Sequence, residues 1–167
     1  MKLYLLPILL LSTAVHGNYI SQLEASNRLH EHSLLYVLNN RAALKVDLAS
    51  ADIKIATEAL MKVLIAWELS DGVNGIETGD VLIEAWKHNP LLVGSWFDSK
   101  PNSKKSWLTS QDYLFNGLLE TGSYQDALKL KDEVVASLQK LPVGKSRTCD
   151  QYLKVLLALE IPNYENS

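Results

Sequence analysis

The chain is poor in the features that most often announce a function. One cysteine in 167 residues, Cys149, excludes an intramolecular disulfide. There is no excess of positive charge: the formal net charge is −3. Nucleic acid and anionic membranes both reward clustered Lys and Arg, so neither is expected as the main partner. No Gly-x-Ser-x-Gly elbow is present; the closest run, Val93-Gly94-Ser95-Trp96, lacks the second glycine and its strand-turn-helix setting. Gly72, Gly75 and Gly79 follow a helical pattern instead of a strand, and no lysine closes them into a phosphate loop. Beyond the leading segment no apolar run approaches the ~20 residues that a membrane helix needs.

Metal signatures fail on spacing. In His30-Glu31-His32 the histidines are two apart, which on a helix turns them about 200° from each other, whereas zinc-protease histidines stand four apart. Asp71, Glu77 and Asp80 lie in a glycine-bearing stretch but do not follow the ligand order of an EF-hand. His88 follows Trp86-Lys87 at a helix end, where a cationic ring suits the dipole. The acid pairs Asp132/Glu133 and Glu68/Asp71 fall on faces expected to be exposed. The sequence therefore nominates no catalytic residue, no metal and no cofactor.

What is present begins with an address. Met1–Gly17 has one basic residue, Lys2, then the apolar run Leu3–Leu11 and the small residues Ser12, Thr13 and Ala14. This is the build of a secretory signal peptide, with cleavage expected after Gly17 or Ala14 and a periplasmic or secreted destination. Residues 18–167 are then the length of one domain with a sizeable core.

The rest reads as helix. Ser21-Gln22-Leu23-Glu24 matches a capping box, and Asn39-Asn40 marks an end. Arg41–Ala49 reads as a short helix or a linker. In Ser50–Ser70, Ile53, Ala56, Leu60, Val63, Leu64 and Trp67 recur at helical spacing. Gly72 is expected as a left-handed cap, Gly72–Gly79 as a loop, and Thr78 or Asp80 as the next N-cap. Pro90 is suited to open a helix through Asp98. Ser99–Ser106, polar and proline-bearing, is expected to be a mobile loop. Thr109-Ser110, Ser123 and Ser146 punctuate three further helices. Short connections make neighbours antiparallel hairpins. The expected architecture is all-α: a single domain, residues 18–167, of six to seven helices, as a bundle or a short HEAT-like stack.

Two features bear on partners. Cys149, near Leu153 and Leu156, is expected to be a small buried apolar residue, although an odd cysteine in an exported protein permits a disulfide-linked dimer. Aromatic residues crowd positions 86–124, beside the lysines at 100, 104 and 105. Core packing accounts for most of them, but Trp107 closes a polar stretch. The expectation is a protein-binding module, inhibitor or immunity-like, in which Trp107 anchors a partner and Lys100, Lys104 and Lys105 steer toward it. The rival expectations are an envelope-polymer hydrolase with an unassigned carboxylate pair and a scaffold or adaptor in an envelope assembly.

Overall fold

A computed structural model describes residues 33–70 and 72–163, without the side chains of 33, 72–74 and 121. The leader Met1–Gly17, the capping box at 21–24, His30-Glu31-His32, Asp71 and the tail 164–167 lie outside the described residues. Within them the chain is all-α, with nine helices and no strand. These are α1 (Ser33–Asn39), α2 (Arg41–Leu48), α3 (Ile53–Leu69), α4 (Gly72–His88), α5 (Pro90–Asp98), α6 (Pro101–Thr109), α7 (Gln111–Thr121), α8 (Tyr124–Gln139) and α9 (Arg147–Ala158). None is long and apolar enough to cross a membrane.

Local chemistry sets most of the boundaries. Asp52 caps α3 by accepting from the Lys54 N–H at 2.9 Å. Pro90 and Pro101 each open a helix, because their missing N–H would have no intrahelical partner there. Ser123 and Asp126 close a reciprocal capping box on α8. Ser146 caps α9 by accepting from the Cys149 N–H at 3.2 Å.

Helix α4 is the centre of the molecule, packing against α1, α2, α3, α5, α7 and α8. Val81, Leu82, Ile83, Ala85 and Trp86 are all buried, so apolar side chains surround its middle. Three local expectations are corrected here. Gly72–Gly79 is the first half of α4, not a loop, so Gly72 does not cap α3; Ser70 does. Thr78 and Asp80 are interior helical positions instead of caps, and Thr78 is buried. The glycines serve packing: a Cβ on Gly79 would collide with Leu114 of α7, and one on Gly117 would come within 2.6 Å of Ile76 of α4. Each helix thus receives the other's side chain at its own glycine.

The third correction is at Ser99–Ser106. Instead of a mobile loop, this stretch contributes most of α6, which Pro101 starts and Trp107 holds. With Arg41–Leu48 also helical, the helices exceed the six to seven expected.

The core beside α4 is an aromatic cluster. Trp107 packs edge-on to Trp67 with centroids 5.1 Å apart and lies 6.3 Å from Trp86, while Tyr152 sits 4.6 Å from Trp86. The Tyr152 hydroxyl donates to Gln111 Oε1 at 2.9 Å, and Gln111 Nε2 donates to the Trp107 carbonyl at 2.6 Å. This chain satisfies a buried phenol and a buried amide together. Burial pushes the Tyr152 hydroxyl well above its ordinary pKa, so it remains a donor.

Candidate interaction groove

The most elaborated surface lies where α2, α4, α7 and α8 meet. Glu77, Asp80, Glu84 and Lys87 follow one another at spacings of three and four, so one face of α4 carries a row of charge. Helix α2 supplies cations to it: Arg41 Nη1 reaches Glu77 at 3.4 Å, and Lys45 Nζ lies 2.7 Å from the Asp80 carboxylate. Lys87 Nζ contacts Glu84 at 3.2 Å and Glu133 of α8 at 2.9 Å. His88 Nε2 is 3.6 Å from the same Glu84 carboxylate. Backbone contacts seat the end of α4: Ser137 Oγ donates to the Lys87 carbonyl at 2.6 Å, and Asn89 Nδ2 to the Leu48 carbonyl at 3.3 Å.

Lys45, Glu84 and Lys87 form a ridge with a depression on each side. One, about 350 Å³, is bounded by Leu118, Lys129, Leu130 and Glu133. The other, shallower and about 670 Å³, is bounded by Val46, Ala49, Ser50, Ile55 and His88. Together they make one groove with an ionic middle and apolar patches toward both ends. Val46 is 71% exposed and Ile55 44% exposed beside it.

The electrostatics favour fixed charge over proton transfer. Desolvation lowers the pKa of Lys87, but bonds to Glu133 and Glu84 outweigh it and hold the ammonium above its ordinary value. The Lys87 hydrogen bond pulls Glu133 below the ordinary carboxylate range, against a smaller opposing effect of burial. Desolvation lowers His88, helped by the adjacent Lys87, so its ring is neutral near pH 7. A general acid needs a carboxyl raised toward neutrality. Glu133 is shifted the other way.

The residues singled out in the sequence all lie on α6 or at its N-cap, where Trp107 faces the core and the lysines do not. Trp107 is 0% exposed, which corrects its expected role as a partner anchor. Pro101 sets the register of α6 so that position 107 turns inward among Trp67, Trp86, Phe97 and Tyr152. Lys100 Nζ reaches Glu68 at 3.7 Å and lies over the Trp96 ring at 5.6 Å, tying α6 to α3 and α5. Lys104 helps hold the Asp98 carboxylate ionised. Lys105 is exposed on α6. Cys149 is buried, as its apolar neighbours imply, and burial raises its thiol pKa. The groove escaped the sequence reading because half of it belongs to Arg41–Ala49, whose alternating apolar residues are ambiguous. The only sequence signal for it was the spacing of acids and Lys87 on α4.

Comparison of the chain with family models, curated proteins and solved structures returned no match.

Proposed function

We propose that the chain is an exported protein-binding module that seats a segment of another protein in the groove between α2, α4 and α8. The observation that carries this reading is the exposed Val46 and Ile55 beside a fixed ionic ridge. Exposed apolar anchors toward one end of the groove give affinity, and the ionic row at its middle gives orientation. The rival hydrolase reading is weaker because the best-placed carboxylates, Glu84 and Glu133, both bind Lys87, and that bond holds the Glu133 carboxyl below its ordinary pKa.

The test uses the full chain, expressed with its own leader and tagged at its C terminus, to capture partners from envelope and secreted fractions. A stoichiometric partner retained by Leu157→Asp but lost by Val46→Asp is the expected result; both side chains are exposed, so neither change should unfold the chain. A partner that binds Val46→Asp equally well overturns the groove reading. If the captured protein is an enzyme that the chain inhibits, the module is an inhibitor; a multi-protein assembly without inhibition makes it an adaptor.

A further inference from the structure

The connection between α8 and α9 is short, held at both feet, and turns its apolar residue outward. Its first foot is Leu141, which packs against the core and whose N–H donates to the Leu138 carbonyl at 3.1 Å. Its second foot is Ser146, which is buried and whose Oγ donates to Asp98 at 2.8 Å. Between them Pro142–Lys145 forms a turn, closed by the Lys145 N–H on the Pro142 carbonyl at 3.3 Å. Gly144 makes the reversal possible, at φ 80°, and its N–H donates to Asp150 at 3.2 Å. The tip is therefore fixed before any partner arrives.

At that tip Val143 is 93% exposed, more than any other large apolar side chain among the described residues, and Pro142 beside it is exposed too. Folding gains nothing from an apolar residue held there. Cations flank it along the chain on both sides. Lys140, Lys145 and Arg147 are exposed, and none makes a side-chain ion pair among the described residues. Lys104 of α6 adds a fourth charge from a distant part of the sequence. It acts on Asp98, which the Arg147 N–H contacts at 3.1 Å. The acids present are Asp98 and Asp150. Asp98 accepts from Ser146, Thr148 and two backbone N–H groups at the start of α9, and Asp150 accepts from Gly144. Four cations against two occupied carboxylates leave this end of the molecule positive, although the whole chain carries −3.

These features constrain the partner. The flanking charges stand a few residues back from Val143, so an apolar point precedes a basic collar. A nucleic-acid backbone offers anionic groups but nothing to receive the valine. An anionic bilayer offers both in that order, with phosphates at the level of the cations and acyl chains just below for Val143. Its plane also accepts a convex tip, which a protein surface does only with a pocket shaped to it. We infer that the α8–α9 turn docks the protein peripherally on an anionic lipid surface, with Val143 inserted and Lys104, Lys140, Lys145 and Arg147 at the headgroups. One such turn gives reversible attachment, not an anchor. The inference is independent of the protein-docking groove, with which the turn shares no residue.

The test is sedimentation of the purified full chain with vesicles of phosphatidylcholine alone and with vesicles containing roughly one-third phosphatidylglycerol. The quantity read is the excess bound on the anionic vesicles, which removes any charge-independent contribution of the apolar run Leu3–Leu11. An excess is expected in about 0.1 M salt and is lost in about 1 M. Val143→Asp should reduce it about tenfold, and Lys145→Gln or Arg147→Gln about fivefold each. Leu157→Asp, also exposed, should leave it within about twofold, because the stretch of α9 back to Arg147 spans about 15 Å, more than a Debye length. All four side chains are exposed, so circular dichroism of the variants should match the wild type. No excess on anionic vesicles, an excess that survives high salt, or an excess unchanged by Val143→Asp or by both glutamine variants overturns the assignment. A captured protein partner that is lost on Val143→Asp, with no vesicle binding, overturns it in favour of a protein contact.

Discussion

Trp107 shows how one side chain changes meaning with its register. Its ring touches Trp67, Phe97, Trp86 and Tyr152, and its carbonyl begins the hydrogen-bonded chain to Gln111 and Tyr152. Trp107→Ala should therefore lower stability by about 3–5 kcal/mol, the usual cost of emptying a tryptophan-sized site, read as a fall in the urea midpoint. A change within a few tenths of a kcal/mol would return Trp107 to the surface. His88 sets a second expectation. Because its folded pKa lies below the unfolded value of 6.5, the folded state binds fewer protons as acid is added. Its contribution is complete above pH 6.5 and is lost as pH falls from there toward the folded value. Glu133, whose pKa is lowered, and Lys87, whose pKa is raised, keep their charge across that window. Urea midpoints of the wild type should decline between pH 7 and about pH 5, and His88→Gln should flatten that decline.

Among the elements, the contact of α4 with α7 is the most exacting. Gly79→Ala drives a methyl into Leu114 and should cost about 1–3 kcal/mol by overpacking. Gly75→Ala, four residues earlier on the same helix, should instead raise stability by about 0.5–1 kcal/mol, since a helical alanine replaces a glycine with no clash. Thermal melts of the pair check both signs, and a common sign would contradict the packing described. A comparable junction joins α5 to α9. The carboxylate of Asp98 accepts from Ser146 Oγ at 2.8 Å, from Thr148 Oγ1 at 2.6 Å, and from the backbone N–H groups of Arg147 and Thr148. Burial opposes its charge, but the bonds from Thr148 and Ser146 prevail and hold its pKa below the ordinary value. Asp98→Ala should cost about 1–3 kcal/mol, and the loss should vanish in strong acid, where the wild-type carboxyl is protonated too. The local stops here were legible in the sequence: Pro90, Ser123 with Asp126, and Ser146 each act through the few residues beside them. The first half of α4 and α6 were not, because three glycines and a polar proline-bearing run read locally as loop. They are helical because Gly79 lets α7 approach and because Trp107 buries its ring on α4's neighbours.

At the scale of the whole molecule, α4 is shared by six other helices, so no large part of the described chain has a core of its own. Residues 33–163 should unfold in one cooperative transition, with helix loss by circular dichroism and tryptophan emission following the same denaturant curve. Separated curves would mean that α8 and α9 come away from the rest. The proposed groove sits on this frame. The groove depends on α2 and α8 being clipped to opposite sides of the α4 charge row, through Lys45–Asp80 and Lys87–Glu133.

The amino-acid sequence by itself determined the all-α class, most helix boundaries, the burial of Cys149 and the lack of an intramolecular disulfide. Periodicity, capping and residue counts act within a few residues and need no fold to be read. The tertiary structure decided that glycine-rich and proline-bearing stretches are helical and that Trp107 is core. It also joined Lys45, Glu84, Lys87 and Glu133 into one groove. Those outcomes rest on contacts between residues far apart in the chain, where burial and close approach outweigh local propensity.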